Sequence, residues 1–191
     1  ALRKKTFDDL GVAHAWSESV SDDYCLSYLV KKAGKKIVFV PACMVASYEE
    51  STWPSLFEFG RRQFLITRVT MPCTWFLGLF GGVYSVIGYF FLPAIALAMA
   101  LNGNTKAAIM PAIAGILFWF AHICLCWLRH RFIFKLMPNE HQRMKTSRLL
   151  DFIAGPFFSV LLLAIVISSA CGRRIKWRGI EYELLGPTKT R

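Results

Sequence analysis

Charge is scarce in this chain, and acid is scarcer still. Asp, Glu, Lys and Arg together make up 18% of its 191 residues, against about 25% in an ordinary soluble domain. Only 12 residues are acidic against 23 Lys and Arg, which leaves a net charge of +11. None of the six cysteines (Cys25, Cys43, Cys73, Cys124, Cys126 and Cys171) forms a Cys-x-x-Cys pair, so neither a zinc spacing nor a disulfide framework is present. Internal repeats and low-complexity tracts are absent, which removes repeat architectures from consideration. What the chain does have is apolar side chains: 55% of the residues are hydrophobic and 15% aromatic, and the mean hydropathy is +0.42. That many aromatics excludes a disordered chain. Their bunching into long runs argues against a purely soluble globule.

The charge is unevenly spread. Residues 1–72 hold ten Lys/Arg and eight Asp/Glu, whereas residues 73–191 hold thirteen and four. The first part reads as a mixed-charge, soluble-looking segment and the second as a membrane region with basic loops. Three stretches are long enough to cross a bilayer, which takes roughly 20 apolar residues. They are expected at about 73–101, 107–128 and 149–170, and each contains a proline: Pro93, Pro111 and Pro156. Six basic residues lie between positions 129 and 148, which places that loop and the N-terminal segment in the cytoplasm. Three crossings then put the tail, 172–191, on the far side. The tail's Arg173, Arg174, Lys176 and Arg178 argue the other way. The excess of basic residues flanks the spans and forms no single stripe, which argues against a nucleic-acid partner.

Residues 1–50 read as mixed α/β. Leu2–Leu10 is expected as a short helix, and Asp22–Ala33 as a second, capped by Ser21 and closed by Gly34. The apolar run Ile37–Val40 within Lys36–Val45 predicts a buried strand stopped by Pro41. Residues 51–72 read as a basic amphipathic helix lying in the membrane interface, with Ser51 or Thr52 as cap and Pro54 in the first turn. Pro187–Arg191 is expected as a frayed end.

Two groups of residues suggest chemistry. Asp22 and Asp23 stand where a helix begins. Acids are favoured there by the helix dipole alone, and a carboxylate so placed is also able to take the proton of an attacking hydroxyl. Arg61, Arg62 and Gln63 sit on the interface helix. Such arginines serve either lipid phosphates or, more specifically, a diphosphate that the two guanidinium forks clamp while charge develops on it. Gln63 supplies a hydrogen bond to sugar or phosphate. Trp16 has two readings, a core residue and a platform for a sugar ring. His122 lies inside the second span, and Asp151 at the edge of the third.

In chain order stand Phe7-Asp8-Asp9-Leu10-Gly11, Val20-Ser21-Asp22-Asp23-Tyr24, Arg61-Arg62-Gln63, Met71-Pro72, three apolar spans, and Ile175-Lys176-Trp177-Arg178-Gly179-Ile180-Glu181-Tyr182. This order resembles the C-terminal half of membrane-bound family 2 and family 21 glycosyltransferases, the group of ceramide glucosyltransferase and its bacterial glycolipid relatives. The resemblance implies a partial GT-A domain over 1–50, an interface helix over 51–72, three spans over 73–171 and a basic tail. It assigns Asp23, with Asp22 beside it, as the catalytic base. It aligns Arg62 with the arginine of a Gln/Arg-x-x-Arg-Trp motif, whose first and last positions are here Phe59 and Gln63. It also implies an inverting transfer of a hexose, glucose in the nearest relatives, from a UDP-sugar to a lipid hydroxyl on the cytoplasmic face of a bacterial inner membrane or a Golgi- or ER-type membrane. The nucleotide-binding half, with its Mg²⁺ or Mn²⁺ site, is expected on a preceding segment, so the chain is expected to be a fragment that does not turn over alone. A processive polysaccharide synthase and a non-enzymatic membrane scaffold or transporter subunit are the rival readings.

Overall fold

A computed structural model describes residues 2–48, 50–140, 142–177, 179–187 and 189–191. It is mostly helical and divides into two compact units. The first combines Ala1–Val40, Glu50–Gly78 and Ile165–Arg191; the second combines Pro41–Glu49 with Leu79–Ala164.

The first unit opens with three helices, α1 (Lys4–Asp9), α2 (Val12–Ser17) and α3 (Asp22–Lys32). Gly11 links the first two at φ +59°, and Gly34 closes the third at φ +69°, left-handed values that glycine adopts without Cβ strain. The α/β expectation fails over Lys36–Val45. Residues 35–40 take no regular structure and Pro41–Cys43 form a 3₁₀ turn. Val38 and Phe39 are 76% and 65% exposed. A strand needs a ladder partner for its N–H and C=O groups, and among the described residues none lies beside this run. The only sheet described is C-terminal.

Helix α4 (Trp53–Thr70) falls within the stretch 51–72 expected from the sequence. Thr52 and Ser55 form a reciprocal capping box, and Pro54 occupies the first turn, where its missing N–H costs nothing. The tail folds instead of fraying. Strands β1 (Arg174–Trp177) and β2 (Ile180–Gly186) pair antiparallel, with Gly179 in the turn at φ +85°. A short β3 (Lys189–Thr190) adds to the far edge of β2. Apolar packing holds the sheet to α4. Leu65 and Ile66 of the helix and Ile175 and Leu184 of the strands form one buried cluster, flanked by Val20, Tyr24, Val69 and Tyr182. Each such aliphatic side chain contributes about 1.5–3 kcal/mol of burial. Thr190 ties the end of the tail to the Glu18 carbonyl through its N–H at 2.7 Å and its hydroxyl at 2.8 Å.

Three helical segments are long and apolar enough to cross a membrane: Pro72–Leu101, Thr105–Leu136 and Lys145–Ser168. The first comprises α5 (Pro72–Val86), a π-helical turn (Ile87–Phe91) and α6 (Leu92–Leu101). Pro93 takes away the N–H that would bond the Tyr89 carbonyl, and the wider turn just before it absorbs the defect. The second, α7 (Thr105–Leu136), is capped by Asn104 and continues eight residues past the expected end at 128. The reason lies in the second unit. Asp151 of α8 (Lys145–Ser168) accepts from Arg129 and, at 3.0 Å, from His130 Nε2. A shared partner for Arg129 and His130 lets the helix persist beyond its apolar stretch. Glycines permit the close helix contacts: Gly88 lies against Phe118, Gly115 against Pro93, and Gly155 against His122.

Candidate functional site

The acid pair occupies the first turn of α3. Ser21 stands at the cap position with extended backbone, but its hydroxyl makes no capping bond. Asp22 substitutes for it, accepting the Asp23 N–H on Oδ1 at 3.0 Å. Trp16 braces the same turn. Its indole N–H donates to the Asp22 carbonyl at 3.1 Å, and Phe7 meets its ring edge-on at 5.5 Å. Trp16 keeps 38% of its surface exposed, so it holds the acids in position and still presents part of a ring. Asp22 and Asp23 are both exposed, and no ion pair involves either among the described residues.

The arginines occupy successive positions on α4. Arg61 Nε donates to the Ser168 carbonyl at 3.3 Å. The Arg62 guanidinium lies 5.5 Å from the Phe59 ring centroid and 5.8 Å from that of Trp177, within cation–π range. Both line a cavity of about 380 Å³ together with Glu58, Ile175, Lys176 and Gly179. Three cations against one carboxylate make this hollow electropositive. A second hollow, of about 510 Å³, has walls from Arg61, Arg68, Gly172, Arg173, Arg174 and Glu183. Arg61 is common to both, and a double cationic wall of this kind suits a multiply charged anion.

Lys176, Arg173 and Arg174 join the arginines of α4 at these hollows, although the sequence leaves open the side of the membrane on which the tail lies. Their basic character was the available signal. Neither Asp22 nor Asp23 is among the described residues lining the two hollows. The acid and arginine groups are nonetheless mechanically joined. Tyr24, next to Asp23, meets Thr67 of α4 with 2.7 Å between their hydroxyl oxygens, and Thr67 Oγ1 donates to the Gln63 carbonyl at 2.8 Å. Because the single Thr67 hydroxyl proton is used on Gln63, Tyr24 is the donor of the first bond. Gln63 is not among the described residues lining the two hollows, and its carbonyl accepts the Thr67 bond.

Among the described residues no group of three or more His, Cys, Asp or Glu side chains converges. Two adjacent, exposed aspartates do not make a donor set for Mg²⁺ or Mn²⁺, and no step ascribed to this chain runs through such an ion.

An acid pair on a braced helix start and an arginine-walled hollow on the next long helix stand in a chain with apolar helices long enough to span a membrane. The model of glycosyl transferase family 21 matches residues 1–189. The chain belongs to that family and is a glycosyltransferase. No curated protein and no solved structure matches the chain.

Proposed function

We propose that the protein performs an inverting transfer of a hexose, glucose in the leading reading, from a UDP-sugar to the hydroxyl of a membrane lipid such as ceramide. The observation that carries the reading is the convergence of Arg61, Arg62 and Lys176 on one hollow within a family 21 chain. In this reading Asp23 accepts the proton of the lipid hydroxyl as its oxygen bonds to the anomeric carbon. The bond from that carbon to the diphosphate breaks on the opposite face. The negative charge that gathers on the leaving UDP meets the guanidinium forks and the Lys176 ammonium. Asp22 orients the base, and Trp16 holds the turn that carries both. The divalent cation of such transfers, Mg²⁺ or Mn²⁺, is left to residues outside the described site. The apolar helices support a membrane-borne acceptor whose head group reaches the site without leaving the bilayer. The catalytic face is assigned to the cytoplasm.

The test uses the full-length protein in membranes, supplied with UDP-glucose, divalent cation and candidate lipids. A lipid bearing a single added hexose supports the proposal. A ladder of polymer products would transfer it to a polysaccharide synthase. Asp23→Asn should lower turnover by about 10²–10⁴-fold, the usual worth of a general base, and unchanged turnover would remove Asp23 from that role.

A further inference from the structure

The chain leaves the first unit at Gly78 and rejoins it at Ile165, with the greater part of all three apolar segments in between. Trp75, near the start of α5, donates its indole N–H to Ser169 Oγ at 2.8 Å, just past the end of α8. Both side chains are buried. The beginning of the first apolar segment and the end of the third are therefore at one depth. Three complete crossings would hold those points apart by the hydrocarbon thickness, roughly 30 Å.

Contacts further along join the same two segments. In the second unit Gly82 lies against Leu163, and the Phe90 and Phe157 rings meet at 5.6 Å. At these two contacts residue number rises along the first segment as it falls along the third. The junction after α8 is also bound to α4, because Arg61 reaches the Ser168 carbonyl and Arg68 reaches those of Ala170 and Gly172.

We infer that the three apolar segments make an even number of complete crossings, so that the C-terminal sheet lies on the same membrane face as α4. One of the segments then enters and leaves the bilayer on a single side, its backbone hydrogen bonds satisfied within helix. The basic residues Arg173, Arg174 and Lys176, which argue against a far-side tail, share a face with Arg61 and Arg62. Only this topology allows Lys176 to wall the Arg61–Arg62 cavity. The inference is independent of which sugar or lipid the enzyme uses.

Labelling of the full-length protein in sealed vesicles of one known orientation tests it. Single cysteines replace the exposed Lys5 in one variant and the exposed Lys189 in another, on a background with the native cysteines changed to serine or alanine. A membrane-impermeant maleimide should label both positions in vesicles exposing that face and neither in inverted vesicles, with both labelled after detergent is added. Labelling of one position and protection of the other would overturn the inference. Protease treatment of the same vesicles carrying the wild-type protein, read with antibodies to residues 4–17 and 180–191, gives the same decision without any substitution. Joint cleavage supports the even count, and cleavage of one alone refutes it.

Discussion

Tyr24 and Thr67 lie 43 positions apart in sequence and 2.7 Å apart at their hydroxyl oxygens. Their bond joins the helix that carries the acid pair to the helix that carries the arginines, one turn beyond Gln63. Removing the Tyr24 hydroxyl as Tyr24→Phe should lower stability by about 0.5–1.5 kcal/mol, the usual net worth of such a bond. A double-mutant cycle with Thr67→Val, read by thermal unfolding in detergent, should show a coupling of similar size. Full additivity would mean that the two helices are held by apolar packing alone.

Lys176 and Arg62 face one cavity from a strand and a helix. Lys176→Ala and Arg62→Ala should each weaken handling of the diphosphate by about tenfold or more, since a hydrogen bond to a charged group contributes about 1.5–3 kcal/mol. The loss should appear in kcat/KM for the sugar nucleotide, with little change in KM for the lipid. Arg62→Lys should recover only part of it, because an ammonium makes no bidentate fork and stacks less well over Phe59 and Trp177.

Cys25 is fully buried on α3, whereas Cys43 is exposed. Burial pushes the Cys25 thiol above its ordinary value, with a Ser19 hydrogen bond opposing the shift. Maleimide near neutral pH should therefore modify Cys43 quickly and Cys25 only on unfolding, a difference readable by peptide mass spectrometry. The linkage has a definite sign. A thiol whose folded value is raised contributes its stability below the unfolded thiol value, and loses it as the pH climbs through the folded one. Folding of the first unit should weaken in alkali, and Cys25→Ser should lessen that dependence.

Gly155 lies against His122, where an added Cβ would fall 2.5 Å from the ring carbon Cε1. Gly155→Ala should separate α7 from α8 and cost about 1–3 kcal/mol, the usual penalty for overfilling a packed contact. Pairing it with His122→Ala should restore most of the loss in thermal unfolding. Failure of that rescue would place the clash elsewhere.

Much of the layout was legible in residue order. Hydropathy located the three apolar segments, because spanning length is a property of one contiguous stretch. Ser51 or Thr52 together with Pro54 marked the start of α4, and the Thr52–Ser55 capping box that chose between the two caps closes within a single turn. Acids at the start of α3 and adjacent arginines on α4 were visible as pairs for the same reason.

What residue order alone left undetermined depends on partners distant along the chain. Ile37–Val40 is composed like a strand and forms none, because a ladder requires a neighbour at 4.7–4.9 Å and the described residues supply no such strand. Pro187–Arg191 looks like a loose end, yet Lys189 and Thr190 pair with β2. The bond from the Trp16 indole N–H to the Asp22 carbonyl is likewise invisible in residue order. Lys176 belongs beside Arg62 only because Ile175 and Leu184 pack on Leu65 and Ile66. Apolar length and helix caps are settled by residues within a few positions of one another. The packing of the tail on α4 is settled by burial between residues more than a hundred positions apart, and only the tertiary structure decides that.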